Sequence, residues 1–256
     1  MKILFLINDI NYFVSHRLDL VLNFKEKGFI PIIVLGRKAS LQMDNYKYRK
    51  NDLNKLDIYF LNFTSTNSNV LVFIRDLIQL FKLIRKIKPD SLYLVSSKPI
   101  FLGGIVSKFF KLKSIIYAVS GMGYFFTDRN TLTKNIKSLF FIYFFNFVID
   151  KRKGKIIVQN YDDYNFFKKK FYNLSYKKLF IVKGSGVDLK KFYYDKKIKK
   201  NIVLFPARIL LHKGILEFLK AANIISNKYK NWDFLIAGAS QYNSPISINP
   251  EKIEEI

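Results

Sequence analysis

The sequence predicts an α/β fold with a parallel, doubly wound sheet. Short apolar runs rich in β-branched residues alternate with longer stretches of helical periodicity, and the spacing leaves room for one crossover helix between successive strands. Two absences support the same expectation. No internal repeat of about 20 to 50 residues breaks the pattern, and no low-complexity linker interrupts it.

Taken in order, Ile3 to Ile7 is the first buried strand; behind Met1-Lys2 it is too short for the apolar region of a signal peptide. Polar Asn8-Asp9 ends it. The stretch carrying Leu18, Leu20, Val21, Leu22 and Phe24 is a helix that Gly28 stops, and Phe29 to Leu35 is the second strand. The alternation continues with Leu56 to Phe63 extended, Val70 to Ile87 helical, Ser91 to Val95 extended, a short helix around Phe101 to Phe110, and a strand from Ser114 to Val119. Leu132 to Val148 is a long helix, followed by strands at Lys155 to Gln159 and Leu179 to Val182. The basic segment Lys190 to Lys200 marks the domain boundary. An amino-terminal domain of residues 1–192 precedes the start of a second one, residues 193–256, with a strand (Asn201 to Phe205), a helix (Leu216 to Tyr229) and a strand (Trp232 to Gly238).

Within the long helix, Leu139 to Ile149 is apolar on every side. It is about half the length a bilayer core requires, so it is not a transmembrane span. A helix buried between sheet and surface is expected. The alternative is a membrane-seated face, which the flanking Lys134, Lys137, Lys151, Arg152, Lys153 and Lys155 would suit.

The 256 residues include 44 Lys and Arg against 19 Asp and Glu, a net charge of +25. Such an excess points to acidic partners: nucleic acid, an anionic lipid surface or phosphorylated substrates. Heavy use of Lys, Asn, Ile, Phe and Tyr throughout is a competing source, the composition of an AT-rich genome. The basic residues are dispersed and form no recognisable nucleic-acid module, so nucleic acid is not an expected partner. The chain has no cysteine, which excludes disulfides, thiol nucleophiles and Cys-ligated metals.

The most informative stretch runs from Val203 through Pro206-Ala207-Arg208 and His212-Lys213-Gly214 into Ile215, Phe218, Leu219 and Ala222. Arg208 leaves the carboxyl end of a strand and Lys213 stands just before a helix, where open α/β sheets bind ligands. An Arg fork and a Lys point charge beside a helix N-terminus suit a diphosphate whose charge grows as a bond breaks. The alternative is two solvated cations in a loop.

The string Leu204 to Ala222 resembles the segment that opens the second domain of family 4 retaining glycosyltransferases of the GT-B fold. Met1 to Leu22, with Asn8-Asp9 and Ser15-His16-Arg17, resembles the family's first strand, loop and helix. Ser120-Gly121-Met122-Gly123 resembles a glycine loop of its first domain, and Gly184-Ser185-Gly186-Val187-Asp188 to Phe192 the motif before its interdomain linker. The likeness extends to bacterial enzymes that add N-acetylgalactosamine or a related sugar to lipid-linked oligosaccharides.

The resemblance implies a complete Rossmann-like first domain and the start of a second, with Arg208 and Lys213 holding the nucleotide diphosphate and acting in catalysis. Gly184, Ser185 and Gly186 are expected on the donor side. Asn8, His16, Arg17, Ser120, Gly121 and Gly123 border the acceptor, with His16 beside the reacting sugar. Read without the family, His16 is as well explained as a capping or structural group. The glycine pairs are as well explained as ordinary turns. His212 is expected at the surface. Asp128, Asp162 and Asp163 are carboxylates without an evident partner, and no Asp-x-Asp metal motif is present. No cofactor or metal is expected, only a UDP-sugar donor.

The partners implied are a nucleotide-sugar donor, a lipid-linked or glycan acceptor, and the anionic inner face of the cytoplasmic membrane, in polysaccharide biosynthesis. The family's acidic motif of two glutamates is not matched by Glu251, Glu254 and Glu255. The chain is therefore expected to be a truncated front part of the enzyme, with a second chain as one source of the remainder. The competing expectation is a non-catalytic, membrane- or partner-binding remnant.

Overall fold

In the computed structural model the chain runs β1 (Lys2–Ile7), α1 (Ile10–His16), α2 (Leu18–Glu26), β2 (Ile30–Gly36), α3 (Lys50–Leu53), β3 (Asp57–Leu61), α4 (Val70–Ile87), β4 (Ser91–Val95) and α5 (Ser97–Ser107). It continues with β5 (Ser114–Ala118), α6 (Thr131–Val148), β6 (Gly154–Val158), α7 (Tyr161–Lys170), β7 (Leu179–Ile181), β8 (Ile202–Phe205), α8 (Ile215–Lys228) and β9 (Asp233–Ile236). The structure describes residues 1–36, 46–47, 49–63, 69–121, 131–171, 176–190, 192–194 and 201–238. Two compact units divide the chain, Met1–Val187 and Asp188–Ile256.

The first unit is a seven-stranded sheet in the order β3-β2-β1-β4-β5-β6-β7, every pairing parallel. The strand order reverses between β1 and β4, so the loops after these two strands flank the switch point of the sheet. Along β1 the pleat sends Leu4 and Leu6 to one face and Ile3, Phe5 and Ile7 to the other, and all five are buried. On the first face α4, α5, α6 and α7 cover the sheet through Leu80, Ile84, Leu102, Val106, Phe141, Phe145 and Phe167. On the second, Ile10, Phe13, Leu18 and Val21 of α1 and α2 and Leu53 of α3 pack over Phe5, Ile33 and Tyr93.

Close packing of α5 depends on its two glycines. A Cβ on Gly103 would collide with the Leu94 side chain, and one on Gly104 would stand 2.7 Å from the Cβ of Val148 in α6. Tyr117 of β5 ties the end of α6 to the sheet: its phenol donates to the Val148 carbonyl at 3.1 Å and accepts from the Asp150 N–H at 3.0 Å. Burial holds this phenol up at a pKa of about 12.

Four expectations need correction. The expected helix from Leu18 is preceded by another, α1, where a loop was expected, and the backbone leaves helical geometry between the two at Arg17 (φ −130°). The run from Leu139 to Ile149 is not buried on every side: Phe141, Phe145 and Val148 face the core, while Leu139, Tyr143 and Phe147 are exposed. The helix placed around Phe101 to Phe110 begins earlier, at Ser97. Asp163 has a partner, since it accepts from Asn160 Nδ2 at 3.0 Å while Asn160 Oδ1 accepts from the Asp163 N–H at 2.7 Å as the N-cap that starts α7.

The second unit contains a two-stranded parallel sheet, β8-β9, joined by α8. Phe218 of α8 packs on Phe205 and Phe234 with ring centroids 5.1 and 6.2 Å apart. No helix of the described residues is long and apolar enough to cross a membrane.

Candidate functional site

At the carboxyl edge of the first unit's sheet lies a cavity of about 500 Å³, walled by His16, Arg17, Tyr93, Gln159, Lys183 and the Gly184–Gly186 loop, among others. Its position follows from topology. Gln159 is the first residue past β6, Lys183 the second past β7, and α1 ends at the same rim.

Arg17 organises this cavity. It is 7 % exposed and stands at the break between α1 and α2. Nη1 donates to the Ser185 hydroxyl at 3.2 Å and to the His16 carbonyl at 3.3 Å, and Nη2 donates to the Tyr12 phenol at 3.0 Å. Its Nε is buried without a hydrogen-bond partner, and no carboxylate pairs with it among the described residues. A guanidinium buried without a counter-charge is costly to hold, and an anion entering the cavity would offset that cost. The Gly184–Gly186 loop has positive φ at both glycines, +68° and +76°, a path that L side chains strain to follow.

His16 stacks on Tyr12 with ring centroids 4.6 Å apart and planes 4° from parallel. The Ser15 hydroxyl donates to the Asn11 carbonyl at 2.5 Å and lies 2.6 Å from His16 Nδ1. With its one proton engaged, Ser15 accepts from Nδ1–H, which leaves Nε2 as the acceptor nitrogen. Burial, and then the charge of Arg17, push the His16 pKa below its ordinary 6.5, so the ring is neutral at pH 7. Tyr93 forms part of the wall, and burial raises its pKa, keeping the phenol protonated.

Asn8 and Ser120-Gly121 follow β1 and β5 on the same edge but do not line this cavity. The Asn8 side-chain oxygen is buried without a partner among the described residues, and Gly121 has φ +104°. Gly123 and Asp128, the glutamates at 251, 254 and 255, and the side chain of His212 lie outside what is described. Sequence reasoning missed Tyr12, Tyr93, Gln159 and Lys183. The position of Gln159 directly after a strand was a usable signal; the stacking of Tyr12 on His16 four residues later was another.

In the second unit, Arg208 stands exposed three residues past β8, and its carbonyl accepts from Leu210 N–H at 2.8 Å. Lys213 closes a single 3₁₀ turn, Leu211–Lys213. Gly214, with φ +83°, then turns the chain into α8 with no side chain capping that helix. Among the described residues neither cationic side chain is in an ion pair. The amides at the start of α8 and these two charges make a basic edge able to hold an oxyanion. Gly238, past β9, is obligatory here: a Cβ would collide with the Ala207 carbonyl and stand 3.3 Å from Arg208 Cα.

Residues 2–160 match the family model described as glycosyl transferase 4-like. The chain is 26 % identical over 257 residues to the N,N'-diacetylbacillosaminyl-diphospho-undecaprenol alpha-1,3-N-acetylgalactosaminyltransferase of Campylobacter jejuni. That match takes in 90 % of this chain and 64 % of the relative, so the chain spans less than two thirds of that protein's length. Among solved structures it resembles a sucrose-phosphate synthase from Thermosynechococcus elongatus (TM-score 0.68, 13 % identity, 100 % of this chain and 66 % of that one). It likewise resembles the UDP-GlcNAc 2-epimerase of Neisseria meningitidis bound to UDP-GlcNAc (TM-score 0.64, 14 % identity, 100 % and 68 %). These structural likenesses show the fold alone: an α/β, Rossmann-like architecture of the GT-B kind.

Proposed function

The chain belongs to the glycosyl transferase 4-like family, and from that premise we propose that it serves the transfer of a sugar from a UDP-sugar to a lipid-linked acceptor in cell-surface glycan synthesis. The observation that carries this reading is the loop between β8 and α8, which exposes Arg208 past the strand and Lys213 just before a helix start that no side chain caps. The Campylobacter relative supports the choice of a diphospho-polyprenol acceptor. Arg208 and Lys213 hold the diphosphate and stabilise the charge that develops on it as the glycosidic bond breaks. Transfer proceeds with retention, the departing phosphate itself assisting the acceptor hydroxyl. The Arg17 cavity, with neutral His16, receives the acceptor, and the Gly184–Gly186 loop at its rim serves the donor side. Such an enzyme works at the cytoplasmic face of the membrane.

The test is incubation with UDP-N-acetylgalactosamine and a polyprenyl-diphosphate-linked saccharide, following label into the organic phase. Transfer that falls about 10²–10³-fold in kcat in Lys213→Ala supports the reading. Epimerised UDP-sugar with no lipid product would favour epimerase chemistry on the same fold. Nucleotide binding without turnover would favour a binding protein.

A further inference from the structure

Helix α6 carries an apolar stripe that points away from the core. Leu139, Tyr143 and Phe147, spaced by four residues, are 67, 80 and 54 % exposed, whereas Phe141 and Phe145 on the opposite side are buried. Phe109 is 70 % exposed just past α5, and its neighbour Lys108 meets the stripe, with Nζ 3.4 Å over the Phe147 ring. No acidic residue occurs between Thr131 and Ile149. At the end of the helix Lys151, Arg152 and Lys153 are exposed. The one nearby carboxylate, Asp150, is turned onto the backbone N–H groups of Arg152 and Lys153 at 2.8 Å each.

We propose that this α6 face, with Phe109, seats the protein on an anionic lipid surface, the aromatic rings entering the headgroup region and the Lys and Arg side chains meeting its phosphates. Charge complementarity selects lipid over a second copy of the chain, since apposing two such faces would bring like charges together. An interfacial helix of this kind combines an apolar face with a basic border, and each basic residue near the surface adds attraction to anionic lipid. The assignment rests on the proposed lipid-linked acceptor for its purpose, but docking is measurable with vesicles that contain no acceptor, so either reading can fail without the other.

Flotation of the purified chain with phosphatidylcholine vesicles, with and without phosphatidylglycerol, tests it. Binding is expected to the anionic vesicles only and to be released by salt, since screening acts within about 8–10 Å at physiological ionic strength. The Tyr143→Ser/Phe147→Ser double variant should lower partitioning about tenfold or more, while Ile224→Ser, an exposed apolar site in the other unit, should leave it unchanged. As the chain has no cysteine, Tyr143→Cys offers a unique attachment point for an environment-sensitive fluorophore, which should shift to the blue on anionic vesicles and would serve even if the double variant failed to fold. Unchanged partitioning of a folded double variant, no blue shift, or self-association without lipid that the double variant abolishes would overturn the proposal.

Discussion

The two units use the same strand-helix-strand grammar, and their described residues differ in how fully strands are flanked and side chains are buried. In Met1–Val187, five of the seven parallel strands have neighbours on both edges, and the sheet carries helices on both faces. In Asp188–Ile256 the two described strands have only each other, and the buried apolar side chains among the described residues are Ile209, Leu210 and Ile215. A cavity of about 320 Å³ between Val203, Phe218, Ala221, Ile225, Tyr229, Trp232 and Phe234 stands open beside them. Parallel strands are stable when flanked and covered. The difference teaches where precision resides. Arg17 is held by the Tyr12 phenol and the Ser185 hydroxyl, whereas the side chains of Arg208 and Lys213 are exposed at the two ends of a loop anchored by buried Ile209 and Leu210.

The comparison is broken most forcefully by denaturation. The single tryptophan, Trp232, lies in the second unit, so its fluorescence reports that unit while far-UV circular dichroism follows mostly the first. The fluorescence transition should come at lower urea. Phe145→Ala should then cost about 3–5 kcal/mol in the dichroism transition, and Phe218→Ala less than half of that. Coincident transitions would mean that the units unfold as one.

A middle-sized effect is expected at Tyr117. Removing its hydroxyl in Tyr117→Phe leaves the Asp150 N–H and the Val148 carbonyl without their partner, at a cost of about 1–3 kcal/mol by urea titration. The loss should be confined to the first unit's transition.

The smallest effect concerns His16. Its folded pKa lies below the unfolded 6.5, so the unfolded state binds more protons between the two values. The stability contribution is present above pH 6.5 and is lost as pH falls through the folded pKa. An NMR titration of the His16 ring should give a midpoint below 6.5. Because burial is the larger cause and the charge of Arg17 the second, Arg17→Gln should move the midpoint only part of the way back. A midpoint above 6.5 in the native protein would contradict the stacked, desolvated ring.

Much of this organisation was legible in the residues. Ser91–Val95 and Val70–Ile87 begin and end where their periodicity does, because apolar runs bounded by polar residues leave little choice of ends. The contact that Arg17 makes with Ser185, far away in the chain, was not legible, because local propensity carries no trace of it. Helix α7 was missed because Phe166 and Phe167 are among few apolar residues in Tyr161–Lys170, whose start is set by the Asn160 N-cap on the Asp163 N–H. The exposed side of α6 was illegible for the opposite reason. A stretch apolar on all sides does not say which side meets the sheet. Arg208 and Lys213 stand where their spacing put them, past a strand and ahead of a helix, and the close approach of Gly238 to Ala207 emerged only from the packing.

The central claim is that Arg208 and Lys213 form the diphosphate site. Backbone amide NMR with millimolar UDP tests it most directly. The account predicts shifts centred on Arg208, Lys213, Gly214 and Ile215, reproduced by ADP but not by uridine, lost in Arg208→Ala and Lys213→Ala, and kept in Arg17→Ala. Shifts confined to the first unit, or unchanged by removing either cation, would contradict it.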